Sequence, residues 1–415
     1  MNPFRPISIS FSPNTESDDI RLAWKILFQP WLWRHGRKIQ ELEEEFREYL
    51  GVKYAFSFNG GRSSLIAILK SLGIGEGDEV LLQAFTCNAA VNPISWREAK
   101  PVFVDIDESL NLDPEDLKRK ITNRSRVVMI QHTFGWPAKI AEVKNICQKH
   151  NLFLIEDCAH SLGARYKKRL IGTFGDAAFF SFGRDKVISS VYGGMVVTNN
   201  ERIAQMLKGF QDSLPFPSNI WILQQILHPI SFAAFLPIYS FLNLGKGVLY
   251  LKQRLKILSP SVYQQEKQGK QLFYFPKRLP NALAMLASNQ FRKLGRLNMH
   301  RREIAEIYNS QLSQMKAQIC PSKEIELVYM RYPIFIDDAK EIRERLKKKN
   351  IFLDDGWHTL PIVPPGTDLE KMNYTKGSCP RAEEVARKIL NLPTNINISR
   401  KETKRIVDTL LKFVK

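Results

Sequence analysis

The sequence predicts an α/β protein with a mostly parallel β-sheet. Seven short apolar runs have the length of buried strands, at residues 53–58, 79–83, 101–105, 126–131, 152–155, 177–182 and 195–198. Stretches of helical periodicity, such as 114–121 and 138–150, lie between them. Because strands alternate with helices, crossover connections and a sheet covered on both faces are expected. A length of 415 residues allows two or three domains.

Before the first of these strands, the periodicity predicts an amphipathic helix at 37–50. Ile39, Leu42 and Phe46 share one face of it, and acidic residues fill the other. Gly51 follows as a C-terminal stop.

The composition is that of a globular protein, with 44% hydrophobic and 25% charged residues. The first residues, MNPFRPISISFSP, lack a charged segment followed by an apolar one, so no signal peptide is predicted. The five cysteines are odd in number and form no CxxC pair; they are Cys87, Cys147, Cys158, Cys320 and Cys379. This pattern predicts reduced thiols in a cytoplasmic protein, and no metal site.

A net charge of +19 suits nucleic acid, an anionic membrane surface or a phosphorylated substrate. The basic residues are scattered, and no basic module interleaved with aromatics stands out. We therefore expect no nucleic-acid partner.

The stretch 152–198 carries the chemistry. The strand at 152–155 leads to Glu156 and Asp157, and the strand at 177–182 leads through Ser181 to Lys186. Open α/β sheets place their sites at such strand ends. A carboxylate and a lysine there suit pyridoxal phosphate (PLP), because the carboxylate keeps the pyridine nitrogen protonated and the amine forms a Schiff base. Any single pair of this kind is more often a strand-end acid and a solvated lysine.

Three motifs extend this pattern: EDCAHSLGA, FFSFGRDK and GGMVVT. In order and spacing they resemble the DegT/StrS family of PLP-dependent sugar aminotransferases. The resemblance implies a fold-type-I transferase, with a large mostly parallel-sheet domain and a smaller C-terminal α/β domain. It also implies a homodimer with active sites between subunits. Lys186 would bind PLP and move the proton, and Asp157 would hold the pyridine nitrogen.

A second group of residues would hold the cofactor phosphate. Gly61, Arg62 and Ser63 follow a strand and open a helix, where free N–H groups form an anion site. A tight turn alone would use the same glycines. The resemblance assigns the phosphate to this turn, and to Ser181 as well.

The sequence departs from the family pattern at several positions. His160 stands where the family usually has a glutamine that contacts the ring hydroxyl, and Cys87 where an aromatic residue stacks on the ring. Pro276 replaces an asparagine that reaches the partner subunit's cofactor phosphate. We expect His160 and Cys87 to contact the cofactor.

Residues 216–251 are dense in aromatic and aliphatic side chains, but polar residues and prolines interrupt them. Two short helices are expected rather than a membrane span. Lys252, Arg254 and Lys256 follow, so peripheral membrane contact through 216–256 is one expectation. Packing of the segment within the dimer or against its own subunit is the other expectation.

These patterns divide the chain into four parts. They are a large PLP-binding domain at 1–215, a hydrophobic insertion at 216–270, a linking long helix at 271–316 and a small domain at 317–415.

The resemblance implies transfer of an amino group from glutamate to a keto-sugar, linked to a nucleotide, in surface-polysaccharide or amino-sugar biosynthesis. Two alternatives remain. A PLP-dependent sugar dehydratase of the same fold would have histidine at the position of Lys186. A non-catalytic, membrane-associated assembly protein would keep only the fold.

Overall fold

The computed structural model describes residues 3–312 and 324–414, and a seven-stranded sheet lies at its centre. Its strands are β1 (Tyr54–Phe58), β2 (Glu79–Gln83), β3 (Lys100–Val104), β4 (Ser125–Gln131), β5 (Phe153–Asp157), β6 (Ala177–Ser181) and β7 (Gly194–Thr198). Their order across the sheet is β1-β7-β6-β5-β4-β2-β3. β7 runs antiparallel to both neighbours, and the other adjacent pairs are parallel. The predicted α/β class and mostly parallel sheet are therefore confirmed.

Fifteen α-helices occur in the described part of the chain: Ser17–Leu27, Lys38–Leu50, Gly61–Ser71, Asn88–Ser95, Pro114–Lys120, Ile140–His150, Glu201–Ser213, Asn219–Phe235, Leu244–Arg254, Gln264–Lys267, Asn281–Phe291, Leu294–Gln311, Ala339–Lys347, Pro380–Lys388 and Arg400–Leu411. Helices and strands of the large sheet share one hydrophobic core. On β2, Val80, Leu81 and Leu82 are all buried, as expected for a strand covered on both faces. After Lys38–Leu50 the chain turns at Gly51, whose φ of 66° favours glycine.

A smaller unit follows, built on strands Tyr332–Phe335 and Ile389–Leu392, which pair antiparallel over a second core. The chain start joins this unit, because Ile7–Ser8 pairs in parallel with Ile351–Phe352. The predicted boundary 1–215 did not anticipate this pairing, and the boundary at 317 lies outside the described residues.

The linking region differs from the single long helix predicted at 271–316. Two helices, Asn281–Phe291 and Leu294–Gln311, occupy it and are separated at Arg292 and Lys293. Residues 313–316 lie outside the described residues.

The hydrophobic insertion forms the two expected helices, Asn219–Phe235 and Leu244–Arg254. The first packs against the helices Ser17–Leu27 and Asn281–Phe291. Within the described residues, Asn219–Ile238 is long and apolar enough to cross a membrane by length and composition alone, and 44% of its 18-residue apolar window is buried inside the protein. One such helix is weak evidence that a chain crosses a membrane. Packing against its own subunit is thus observed, and membrane contact through 216–256 stays a prediction.

Within the insertion helix, two neighbouring side chains make a matched test of this packing. Trp221 is 5% exposed and its ring lies 5.3 Å from that of Tyr192, whereas Ile220 is 74% exposed. We expect Trp221→Ala to lower the free energy of unfolding by about 3–5 kcal/mol, and Ile220→Ala to change it by less than about 0.5 kcal/mol. Chemical denaturation of the two variants measures the difference. Equal effects would contradict the packing of this helix on the large domain.

Candidate active site

The carboxyl ends of the parallel strands open into a cavity of about 490 Å³, which is within the range of about 300–1,000 Å³ usual for small-molecule sites. Asp157 ends β5, and Lys186 follows β6 by five residues. Both line the cavity, together with His160, Ser181 and Gly61. The sheet thereby brings together residues from EDCAHSLGA, from FFSFGRDK and from the turn that begins at Gly61.

Asp157 is fixed by the strands on either side. It pairs in register with Gln131 on β4 and Phe179 on β6. Its Oδ1 accepts a hydrogen bond of 2.9 Å from the backbone N–H of Ala159. Burial raises the pKa of Asp157, and that hydrogen bond and the charge of Lys186 partly offset the effect. A cation beside the Asp157 carboxylate would therefore stabilise its charged form.

The amine of Lys186 lies next to His160, with 2.8 Å between Nζ and Nε2. The other ring nitrogen of His160, Nδ1, accepts from the backbone N–H of Phe134 at 3.3 Å. Burial and the charges of Lys186 and Arg331 hold the pKa of His160 well below its usual value. His160 is consequently a neutral ring at neutral pH.

The backbone around Lys186 is held from distant parts of the chain. The side-chain amide of Asn14 donates to the carbonyls of Lys186 and Val187. Arg301, 1% exposed, donates to the Val187 carbonyl at 2.7 Å and to Asn14 Oδ1 at 2.9 Å. These contacts limit how far the lysine can move.

A buried arginine of the small unit ties the lysine loop to the opposite wall of the cavity. Arg331 forms ion pairs with Asp185 at 2.5 Å and with Asp355 at 3.0 Å, and it is 1% exposed. Its guanidinium also lies 5.7 Å from the ring centroid of Trp357, which lines the cavity. The two structural units therefore meet at this site.

The turn after β1 presents free N–H groups. The helix Gly61–Ser71 begins there, and its first intrahelical bond runs from Ser64 N to Gly60 O. A Cβ at Gly61 would lie 3.2 Å from the Ser181 Cβ, so a glycine keeps the two segments close. Gly61, Arg62 and Ser181 line the cavity.

The side chains of the two other turn residues have partners within the protein. Ser63 is buried and donates to Asn59 Oδ1 at 2.6 Å. Arg62 Nε lies 2.5 Å from Glu266 Oε1, and Arg62 also donates to the Ser261 carbonyl. Because the side chains of Arg62 and Ser63 already have partners, the backbone N–H groups of Gly61, Arg62 and Ser63 are the groups that could bind an anion.

Cys87 lies at the cavity wall, half-buried, in a short strand pair with Ile362–Val363. Burial raises the pKa of its thiol, and the charges of Lys186 and Arg62 partly offset this. The thiol is therefore protonated at neutral pH.

Glu156, next to Asp157 in sequence, faces away from this chemistry. It is fully buried and accepts hydrogen bonds from the backbone N–H groups of Gly172, Phe174 and Gly175. His132 Nε2 lies 3.3 Å from it. Burial opposes its charge, but His132 and the backbone N–H groups outweigh burial and lower the pKa of Glu156. Its role is structural.

Sequence reasoning missed several cavity residues. They are Arg184, His228, Phe232, Asp355 and Trp357. Arg184 precedes the motif lysine by two positions, a proximity that the sequence shows. His228 and Phe232 belong to the insertion, and no local pattern places them at this site.

Comparison with known proteins now identifies the chain. Residues 13–213 and 251–411 match the model of the DegT/DnrJ/EryC1/StrS aminotransferase family. The chain belongs to this family. Aminotransferases of the family are PLP-dependent, and this membership favours the aminotransferase over the dehydratase and non-catalytic alternatives. Residues 214–250, which separate the two matched ranges, include residues 216–250 of the hydrophobic insertion.

Curated relatives and solved structures agree with the DegT family assignment. GDP-perosamine synthase of Escherichia coli O157:H7 is 28% identical, and the alignment covers 97% of each chain. The spore coat polysaccharide biosynthesis protein SpsC of Bacillus subtilis is 28% identical over 100% of this chain and 98% of its own. The crystal structure of DesV from S. venezuelae superposes with a TM-score of 0.73 at 23% identity, covering 96% of this chain and 95% of DesV. The predicted fold and aminotransferase activity are confirmed.

Proposed function

We propose that the cavity binds PLP and that the protein transfers an amino group from glutamate to a nucleotide-linked keto-sugar. The observation that carries the proposal is the placement of Lys186 and Asp157 in one cavity, at the carboxyl edge of a parallel sheet. A lysine amine and a buried carboxylate are the two groups that PLP requires from a protein.

The residues fit the cofactor in three ways. Lys186 offers an amine within the cavity, and Asp157 offers a carboxylate whose burial favours a cationic neighbour. The helix that begins at Gly61 offers free N–H groups, with the hydroxyl of Ser181 close by. His160 and Cys87 complete the walls to which the resemblance assigns ring contacts.

When bound, PLP supplies an electron-accepting ring that carries the amino group between the two substrates. Asp157 would keep the pyridine nitrogen protonated. Lys186 Nζ would move a proton from Cα of the amino donor to the cofactor carbon C4′, and in the second half-reaction from C4′ to the sugar carbon that becomes aminated. Asn14 holds the Lys186 carbonyl and Arg301 holds the Val187 carbonyl, and these contacts would limit how far Nζ moves within the cavity.

The substrate class rests on the relatives. GDP-perosamine synthase and dTDP-3-amino-3,6-dideoxy-alpha-D-galactopyranose transaminase are both named for amino-sugars on nucleoside diphosphates. The positive net charge of +19 suits an anionic substrate of this kind. The homodimer that the resemblance implies stays a prediction.

Transfer of labelled nitrogen tests the proposal. Purified protein with PLP, [¹⁵N]glutamate and a panel of GDP-, UDP- and dTDP-linked keto-sugars should yield a ¹⁵N-labelled amino-sugar nucleotide and 2-oxoglutarate. Mass spectrometry detects the label, and Lys186→Ala serves as the inactive control. A product that lacks the label and has lost water would instead identify a dehydratase.

A further inference from the structure

A chain of hydrogen bonds connects the insertion to the cavity. In the helix Asn219–Phe235, Gln225 Nε2 donates to the Trp221 carbonyl at 2.8 Å. Gln225 Oε1 accepts from Ser259 Oγ at 2.8 Å, and Ser259 Oγ accepts from Arg184 Nη2 at 2.6 Å. Gln225 and Ser259 are buried, at 0% and 2% exposure. The insertion therefore fixes one edge of the Arg184 guanidinium.

A second contact of the guanidinium is with the ring of Tyr192. The Arg184 guanidinium lies 5.6 Å from the ring centroid of Tyr192. The Tyr192 hydroxyl donates to the Pro260 carbonyl at 2.6 Å, next to Ser259 in sequence. Trp221 also packs against Tyr192, at 5.3 Å between ring centroids. Arg184 is thus oriented by one segment of the insertion helix and by residues 259–260.

Arg184 lines the cavity without a carboxylate partner. Within residues 3–312 and 324–414, no Asp or Glu oxygen lies within 4.0 Å of its nitrogens, and its Nε makes no hydrogen bond. The adjacent Asp185 is already paired with Arg331. Burial lowers the pKa of Arg184, because removing the guanidinium from water disfavours its charged form.

We propose that Arg184 binds a phosphate group in the cavity and that the insertion sets its orientation through Gln225 and Ser259. A guanidinium suits phosphate because its N–H groups match the phosphate oxygens. The inference rests on the proposed function for the identity of the ligands. Two sources supply this chemistry: the phosphate monoester of PLP and the diphosphate of a sugar nucleotide.

Binding measurements on two variants test both parts. Arg184→Met removes the charge, and Gln225→Met removes the relay without touching the cavity wall. Gln224→Met is the matched control, because Gln224 lies on the same helix and bonds the Lys256 carbonyl at the surface. Visible absorbance of the apoprotein titrated with PLP or with pyridoxal gives the cofactor affinity. Calorimetry of the holoenzyme with GDP, UDP or dTDP gives the nucleotide affinity.

If the cofactor phosphate is the ligand, Arg184→Met should weaken PLP about 10- to 100-fold and leave pyridoxal unchanged. If the substrate diphosphate is the ligand, the same loss should appear for one nucleoside diphosphate. Gln225→Met should weaken the same ligand by a smaller factor, and Gln224→Met should have no effect.

Three results would overturn the inference. Unchanged binding of PLP and of all three nucleotides to folded Arg184→Met would exclude a phosphate role. Equal losses for PLP and pyridoxal, with unchanged nucleotide binding, would mark Arg184 as structural. An unaffected Gln225→Met beside a weakened Arg184→Met would remove the insertion from the orientation. A wild-type protein that binds no PLP would refute the proposed function, and calorimetry of the wild-type and Arg184→Met apoproteins with the nucleotides would still decide the role of Arg184.

Discussion

Replacing Lys186 with alanine is expected to abolish both amino transfer and the visible absorbance of protein-bound PLP. Lys186 lines the cavity, its Nζ lies beside neutral His160, and its amine would form the Schiff base with the cofactor carbonyl. Absorbance spectra of the purified variant and the ¹⁵N-transfer assay measure the two losses.

Lys267→Met is the matched control. Lys267 lines the same cavity, but its Nζ donates to the Pro365 carbonyl at 2.7 Å. The variant should keep the absorbance band. If borohydride reduction instead fixes PLP to another lysine in Lys186→Ala, the assignment of Lys186 is wrong.

Replacing Asp157 with asparagine should lower turnover by about 10²- to 10⁴-fold, with little change in stability. An amide cannot keep the pyridine nitrogen protonated, so the ring would lose its capacity to accept electrons. Folding should tolerate the change, because burial already raises the pKa of Asp157 and penalises its charge. Turnover and thermal unfolding of the variant measure the two effects.

The neighbouring Glu156→Gln should show the opposite pattern. Glu156 accepts three backbone hydrogen bonds and contacts His132, and a glutamine NH₂ would face donors there. We expect a loss of about 1–3 kcal/mol in the free energy of unfolding, and nearly normal turnover of the folded enzyme.

Near wild-type turnover in Asp157→Asn would contradict the proposed role of Asp157 at the cofactor.

The sequence by itself determined the sheet and several of the side chains at its carboxyl edge. Strand positions follow from short apolar runs with local boundaries, and the observed bounds of β1 to β7 agree with the predicted runs to within two residues. Asp157 and Lys186 lie within five residues of the ends of such runs, so predicting the strands also predicted that these side chains meet at one edge. Local hydrophobic pattern is enough for this because the carboxyl ends of parallel strands share an edge.

Only the tertiary structure decided which residues hold that chemistry in place. Asn14 reaches the Lys186 carbonyl across 172 positions of sequence, and Arg331 joins Asp185 to Asp355. Likewise, the insertion reaches Arg184 through Gln225. Such contacts join side chains far apart in sequence, and they depend on packing that no local periodicity encodes. The same reason explains the position of the insertion. Its composition alone allowed membrane contact, but the helix Asn219–Phe235 packs on the large domain and contributes His228 and Phe232 to the cavity wall.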